Sequence, residues 1–347
     1  MKKNLFFFVL LLVFSSCRKD PYPLCPNPVK LDGWKMYTNC IKLEENTSGF
    51  YFLNENTGFI TGYYGMIKRT DDRGVTWKDI STNQETVIEG ISFINSDTGY
   101  VSLRSMGDTT INDMEVTYDG GKHWNIIPVI MHGYLSDIHF FNFHEAVAVF
   151  TDRTTGQKII YTSNDGAYTW NNSGVHLRYN GINWNIFYSA ETLFAAEQDY
   201  NRLLKSTDKG YTWNQIIIPV QDLSGVNVID SMNFFVKGWT GDSLKTFRTF
   251  NGGATWTEMS DSFNYSFYHV FSDRLRGIAI SLSPFNPYIT PSDSIVYKYY
   301  STSDGGTKWA KIGEGKLSHY FNSTWQFPSD NVGYSINGGR IIRIERN

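Results

Sequence analysis

One eight-residue pattern recurs six times along the chain, and this repetition limits the fold more than any other feature. Each copy has a Ser or Thr, an Asp or Asn two positions later, a Gly or Ala two positions after that, and a Trp at its end. The copies occupy residues 70–77, 117–124, 163–170, 206–213, 249–256 and 302–309. Because all six share one register, we interpret each copy as the same turn within one repeated structural unit.

The residue types in this pattern suit a tight hairpin turn. A carboxylate or amide in a turn accepts hydrogen bonds from nearby backbone N–H groups, and glycine supplies a positive φ. The Trp would begin the next strand and bury a large apolar surface. We therefore predict a structural role, rather than a calcium-binding or catalytic one, for the residues at the acidic position: Asp72, Asp119, Asp165, Asp208, Asn251 and Asp304.

A second motif, a strand–polar turn–strand hairpin, falls between the tryptophans and gives the number of units. Its seven copies start at Phe52, Phe93, Phe140, Phe187, Val228, Phe271 and Phe327. The last copy has only the strand at 340–344 after it, and the segment 33–37, led by Trp34, has no hairpin before it. Pairing these two ends in one sheet closes a ring and removes exposed edges. The sequence thus predicts an all-β, seven-bladed β-propeller of four-stranded antiparallel blades over residues 31–347.

The N-terminus has the layout of an export signal. Lys2 and Lys3 precede an apolar run over residues 5–14, and Ser15 and Ser16 precede Cys17. This resembles a bacterial lipobox, although Phe14 stands where Leu is usual. We expect a signal peptide at 1–16, lipidation of Cys17, a tether over 17–30, and an outer-membrane lipoprotein facing the periplasm or the cell surface.

Cys25 and Cys40 are the remaining cysteines. Export places them in an oxidising compartment, where a disulfide between them would fasten the tether to the first strand. Two free thiols are the alternative.

The repeated turn resembles the Asp-box, or BNR repeat. Its pairing with the inner hairpins resembles the photosystem II assembly-factor propellers and their bacterial relatives. That resemblance covers nearly the whole mature chain and implies a non-enzymatic binding or assembly scaffold for a protein or a surface glycan. We also expect no cofactor and no metal, because His123, His132, His139 and His144 do not have the spacing of a metal site.

Asp-boxes also occur in sialidases, so a sialidase-like glycoside hydrolase is the alternative function. Such an enzyme needs clustered arginines, a Tyr nucleophile with a Glu partner, and an Asp that acts as the catalytic acid. The arginines of this chain are scattered and no Arg-Ile-Pro segment precedes the first box, so an enzyme is the less favoured reading. The formal charge of −3 argues against a nucleic-acid partner.

The Asp-box turns and the inner-hairpin turns should share one face of the propeller, the lower face, so we expect a ligand on the upper face. The loops there carry exposed aromatic and basic residues, a composition that suits recognition. The candidate binding residues are Tyr63, Tyr64, Arg104, Arg153, Arg178, Trp239, Tyr288 and His319. Arginines converging beside a Tyr–Glu pair would favour the hydrolase, whereas a flat aromatic surface would favour the scaffold.

Overall fold

The computed structural model describes residues 29–31, 33–38, 47–82, 85–105, 113–129, 133–177, 186–189, 191–197, 202–259, 266–282, 295–317, 325–337 and 340–346. Secondary structure in these ranges consists of strands, and none of the ranges offers an apolar helix of membrane-spanning length. The strands are β1 (Val29–Leu31), β2 (Trp34–Thr38), β3 (Thr47–Phe52), β4 (Gly58–Gly62), β5 (Ile67–Thr70), β6 (Lys78–Asp79), β7 (Thr86–Phe93), β8 (Gly99–Ser105), β9 (Met114–Thr117), β10 (Asn125–Ile127), β11 (Gly133–Phe140), β12 (Ala146–Asp152), β13 (Lys158–Ser163), β14 (Asn171–Leu177) and β15 (Ile186–Ser189). They continue with β16 (Thr192–Glu197), β17 (Arg202–Ser206), β18 (Asn214–Ile217), β19 (Asp222–Val228), β20 (Phe234–Thr240), β21 (Ser243–Thr249), β22 (Thr257–Glu258), β23 (Ser266–Phe271), β24 (Gly277–Leu282), β25 (Ile295–Thr302), β26 (Ala310–Leu317), β27 (Trp325–Ser329), β28 (Val332–Asn337) and β29 (Arg340–Arg346).

The strands form seven antiparallel sheets, which confirms the predicted seven-bladed β-propeller. Blades 1 to 6 are β3–β6, β7–β10, β11–β14, β15–β18, β19–β22 and β23–β26. The first strands of neighbouring blades contact one another, as β3 does β7 and β7 does β11, so these strands surround the centre of the ring.

Blade 7 joins the two ends of the chain, as predicted. Its order is β1-β2-β29-β28-β27, with Trp34 opposite Arg346 and Thr38 opposite Ile342. The additional outer strand β1 was not predicted. It begins at Val29, two residues inside the segment expected to be tether, and it contacts β26 of blade 6.

Four of the interfaces between blades each contain a pair of stacked aromatic rings. Each stack joins a residue near the start of one blade's second strand to the ring that ends the first strand of the next blade. The ring centroids lie 3.8 Å apart for Phe59 and Phe93, 3.6 Å for Tyr100 and Phe140, 3.7 Å for Phe235 and Phe271, and 3.6 Å for Tyr334 and Phe52. This arrangement buries large apolar surfaces from both sheets, which explains why the blades depend on one another.

The hairpin glycine makes room for these rings. A Cβ at Gly99 would lie 2.5 Å from the ring of Phe93. Blade 5 has no such glycine, because Phe234 takes its position while Val228 ends the first strand. The ring has thus moved to the neighbouring strand, where Phe234 packs 4.7 Å from Phe194.

The six repeated turns close through side-chain hydrogen bonds. In blade 1, Asp72 Oδ1 accepts hydrogen bonds from the Thr76 N–H at 2.8 Å and the Thr70 hydroxyl at 2.8 Å. Burial alone would raise the pKa of Asp72, but the hydrogen bonds from Thr76 and Thr70 outweigh it and lower that pKa. Asn251 makes the equivalent bond to Thr255 N–H at 2.9 Å, so its amide replaces the carboxylate without losing the turn.

In five of the six blades that carry it, the repeated turn also makes a backbone hydrogen bond to the inner hairpin of the same blade. Gly120 N–H donates to the carbonyl of Asp97 at 2.8 Å, and Gly166 N–H donates to that of His144 at 2.9 Å. The two kinds of turn therefore lie on one face, as predicted, and we call it the lower face.

Candidate functional site

Two of the predicted binding residues, Arg104 and Arg153, converge on one aromatic ring at the upper face. Arg104 lies near the end of β8 in blade 2, and Arg153 follows β12 in blade 3. Each guanidinium carbon is 5.5 Å from the ring centroid of Tyr134, which lies at the start of the inner strand β11. At this distance Tyr134 makes two cation–π contacts, one across the interface with Arg104 of blade 2 and one with Arg153 of its own blade.

Three further charged side chains are linked to Arg104 and to one another. Glu89, at the bulge of β7, accepts a hydrogen bond from Arg104 Nε. Lys158, at the start of β13, is buried, and it interacts electrostatically with both Asp137 and Glu89. We call Glu89, Arg104, Tyr134, Asp137, Arg153 and Lys158 the mouth cluster.

Burial shifts the pKa values of two members of the mouth cluster. Desolvation raises the pKa of Asp137 to about 7, against the lowering effects of the Ile138 backbone and Lys158. Desolvation also lowers the pKa of Lys158, against the raising effects of Asp137 and Glu89. The cluster therefore contains three basic side chains and two acidic ones, and burial favours the protonated form of one of the acids, Asp137. This excess of positive charge favours an anionic group of a ligand.

Tyr63 and Tyr64 extend the surface onto blade 1. They form an exposed turn in which Tyr64 has a φ of 59°, and the following Gly65 donates a hydrogen bond to the carbonyl of Thr86 at 2.7 Å. Thr86 pairs with Ser105, the residue after Arg104. Four predicted residues, two tyrosines and two arginines, therefore lie along the upper edges of blades 1 to 3.

Trp239 lies apart from the mouth cluster, in blade 5. It is exposed and pairs across the β20–β21 hairpin with the exposed Leu244. Since blade 4 separates it from blade 3, the structure does not join Trp239 to the arginines. Arg178, Tyr288 and His319, together with Cys17, Cys25 and Cys40, lie outside the described residues.

Sequence reasoning missed Glu89, Tyr134, Asp137 and Lys158. A signal was present for Glu89 and Asp137, because each interrupts a largely apolar stretch that becomes an inner strand. An acidic residue on such a strand indicates either an ion pair or a site at the centre of the propeller.

The inner strands carry a second polar group below the mouth cluster. His139 stacks on Tyr188 of blade 4 with the ring centroids 3.8 Å apart. Burial lowers the pKa of His139 to about 4, so this imidazole is neutral at physiological pH. Within the described ranges no group of three or more His, Cys, Asp or Glu side chains is arranged to hold a metal ion.

The mouth cluster partly fits the geometry expected for the hydrolase. Two arginines do converge beside a tyrosine and a glutamate. However, Glu89 is bonded to Arg104, and no hydrogen bond among the described residues joins the Tyr134 hydroxyl to a carboxylate. A phenol that acts as a nucleophile needs a base within about 3 Å. The guanidinium groups also lie against the Tyr134 ring, where they form a charged aromatic surface.

The fold places the chain among seven-bladed β-propellers. No protein-family model matches the sequence, and no curated protein matches it.

Solved structures share the fold, and the likeness predicted to photosystem II assembly-factor propellers is confirmed. YCF48 bound to D1 peptide has a TM-score of 0.64 and 15% identity, over 92% of this chain and 100% of that one. YCF48 from Cyanidioschyzon merolae has a TM-score of 0.64 and 16% identity, over 90% and 99%. The GH74 xyloglucanase from Xanthomonas campestris has a TM-score of 0.60 and 11% identity, over 89% of this chain and 53% of that one.

Proposed function

We propose that this protein is a non-enzymatic scaffold, lipid-anchored in the bacterial cell envelope, whose mouth cluster binds a segment of a partner protein. The observation that carries the proposal is the convergence of Arg104 and Arg153 on Tyr134. Tyrosine and arginine are among the residue types enriched in the hot spots of protein-binding surfaces. A solved propeller of the same fold holds a D1 peptide, which supports a peptide ligand for this one.

The proposed ligand combines an acidic group with an apolar or aromatic flank. The acidic group would pair with the excess cationic charge of the mouth cluster. The flank would pack on the exposed rings of Tyr63 and Tyr64.

Affinity capture from the native envelope after mild crosslinking tests this function. The lipidated protein is compared with Arg104→Gln/Arg153→Gln and with the matched control Trp239→Ala/Leu244→Ala in blade 5. Since buried charge-assisted bonds contribute about 1.5 kcal/mol or more each, we expect the arginine variant to recover a partner at least about tenfold less well. Equal recovery by all three proteins, each with an unchanged thermal midpoint, would refute the proposal.

A sialidase-like hydrolase is the second candidate, favoured by the presence of two arginines beside Tyr134 and Glu89. Its test is a panel of sialosides and β-glucans incubated with the wild-type protein and with Tyr134→Phe. The hydrolase requires turnover that the Phe variant abolishes. The scaffold predicts no turnover and unchanged partner capture by Tyr134→Phe, since the ring is retained.

Lipid anchoring is proposed from the sequence pattern around Cys17. Metabolic labelling with a palmitate analogue should mark the wild-type chain and leave Cys17→Ser unmarked. Label on both proteins, or on neither, would contradict this part of the proposal.

A further inference from the structure

Tyr64, at the upper face of blade 1, adopts a backbone conformation that its residue type disfavours. Its φ is 59°, in the left-handed region, where a Cβ comes too close to the following carbonyl oxygen. Tyr64 and Gly65, which has a φ of 68°, are the two central residues of a turn. This turn closes through the 3.2 Å hydrogen bond from the Met66 N–H to the carbonyl of Tyr63. Two positive φ values are typical of a type I′ turn, whose central positions usually hold Asn, Asp or Gly.

Backbone hydrogen bonds hold this turn in place from both sides. The Gly65 N–H donates to the carbonyl of Thr86 in blade 2, and the Thr82 N–H donates to the carbonyl of Gly65 at 3.0 Å. The Gly62 N–H also donates to the carbonyl of Met66 at 3.0 Å. The backbone therefore fixes the position from which the Tyr64 side chain leaves the surface.

Blade 5 has glycine at the corresponding position. Gly241 is the first residue of the turn between β20 and β21, where Thr240 pairs with Ser243, and its φ is also 59°. A Cβ on Gly241 would meet no atom within 4 Å. Space therefore does not require a glycine in this turn, whereas the positive φ favours one.

The other non-glycine residues with a positive φ in the described ranges are Arg73, Ala167 and Lys209, and each has contacts that offset its cost. Arg73 and Lys209 each form ion pairs with two glutamates. Ala167 is fully buried in the apolar cluster between blades 2 and 3. Tyr64 is 59% exposed, and its side chain makes no hydrogen bond, ion pair or ring contact with the described part of the chain. A strained position without such compensation indicates a functional role.

The turn lies at a defined distance from the mouth cluster. Thr86, which is bonded to Gly65, pairs with Ser105, the residue after Arg104. Two steps between neighbouring strands place the Tyr64 backbone about 10 Å from that of Arg104, since each step is about 4.8 Å. An extended peptide advances about 3.3 Å per residue, so about three residues span this distance.

We propose that Tyr64 is the anchor residue of the partner-binding surface and selects a peptide with an aromatic side chain about three residues from its acidic group. The aromatic side chain would stack on the Tyr64 ring while the acidic group pairs with the mouth cluster. A ring that is held in place before binding lowers the entropic cost of association, and this gain explains why the strained tyrosine is retained. This inference rests on the proposed function and adds to it the residue that sets specificity.

Fluorescence polarisation with a series of labelled, end-blocked peptides tests this ligand pattern. Each peptide has one Glu and one Phe in a Gly/Ser chain, one to six residues apart, and control peptides have Gln in place of Glu or Ala in place of Phe. We expect the wild-type protein to bind the three-residue spacing about fivefold more tightly than the shortest and longest spacings. Tyr64→Ala should abolish the preference for Phe and keep that for Glu, whereas Arg104→Gln/Arg153→Gln should do the reverse. The control variant Trp239→Ala should keep both preferences.

The outcomes separate this inference from the proposed function. A preference for Glu together with equal affinities of wild type and Tyr64→Ala for every peptide would overturn the anchor role alone. Equal binding of the Glu and Gln peptides to the wild-type protein would contradict the proposed function. An absence of binding to every peptide would overturn both.

Urea unfolding measures the strain without any ligand. Tyr64→Asn should lower the equilibrium constant for unfolding at least about threefold, because Asn tolerates this conformation, whereas Tyr64→Ala keeps a strained Cβ and should not. Gly241→Tyr introduces the same strain into blade 5 and should raise that constant about fivefold. A Tyr64→Asn variant no more stable than wild type, or a Gly241→Tyr variant as stable as wild type, would overturn the argument from strain and with it the anchor role.

Discussion

Replacing Glu115 with Gln tests how the propeller tolerates a buried acid. Glu115 lies on β9, its side chain is 3% exposed, and its Oε2 has no hydrogen-bond partner. Its neighbours Met114 and Val116 pack into the cluster shared with blade 3, so Glu115 points to the opposite face of the sheet. Burial, with a smaller effect of Asp113, raises the pKa of Glu115 from 4.5 to about 7.

The raised pKa fixes the sign of the pH dependence. The folded chain holds the Glu115 proton between pH 4.5 and 7 while the unfolded chain releases it, so the free energy of unfolding falls as pH rises through this window. A pKa shift of this size lowers the free energy of unfolding of the wild type by about 2.5 kcal/mol between pH 5 and pH 8. Glu115→Gln keeps the shape of the side chain without its charge. As the pH rises from 5 to 8, the free energy of unfolding of the variant should therefore increase by about 2 to 3 kcal/mol relative to that of the wild type.

Urea unfolding followed by tryptophan fluorescence at pH 5, 6, 7 and 8 measures this difference. Asp137 and His139 also titrate abnormally, but they are common to both proteins and cancel in the comparison. Glu258→Gln, at an exposed position on β22, is the matched control for replacing a glutamate with glutamine. A difference between wild type and Glu115→Gln that stays constant with pH would refute the reasoning.

Three further substitutions test the packing and the turns, each by the change in the free energy of unfolding. Gly99→Ala should lower the free energy of unfolding by about 1 to 3 kcal/mol because its Cβ would lie 2.5 Å from the Phe93 ring, and adding Phe93→Leu should recover part of this loss. An unchanged stability of Gly99→Ala would contradict the close approach. Asp208→Ala should lower the free energy of unfolding by about 1 to 2 kcal/mol, and Asp208→Asn by less than half of that, since Asn251 makes the same turn. Equal losses in the two variants would show that the carboxylate charge matters more than its hydrogen bonds. Arg248→Met should lower the free energy of unfolding by about 1 to 2 kcal/mol, because it loses the 2.9 Å hydrogen bond to the Asp304 carbonyl in the next blade. The control is Lys245→Met, which breaks the exposed pair with Glu258, and an equal effect of the two variants would contradict this interblade role.

The fold could be predicted because its main signals are local and repeated. Each turn forms from residues within eight positions, as Asp72 and Thr76 show, so the sequence pattern and the structure report the same contacts. The ring closure followed from counting, because seven inner hairpins and six repeated turns left one outer strand to be supplied by Trp34 to Thr38. The fifth strand β1 carries no such pattern, since three residues without a repeat partner give no periodicity to read.

The mouth cluster could be predicted only in part. Arg104 and Arg153 were found because both stand in segments predicted to be upper-face loops, although Arg104 belongs to the end of β8. Their convergence on Tyr134 depends on how blades 2 and 3 pack, which no local pattern encodes.

Site-specific photocrosslinking in the native envelope tests the central claim most directly. A photoreactive phenylalanine analogue is placed at Tyr64 beside the mouth cluster, at Trp239 on blade 5, or at Ile126, an exposed residue of an outer strand. We predict a discrete protein adduct from position 64 alone, and its loss when Arg104→Gln/Arg153→Gln is added. Equal adducts from all three positions, or an adduct from position 64 that survives the arginine substitutions, would contradict the assignment of partner binding to the mouth cluster.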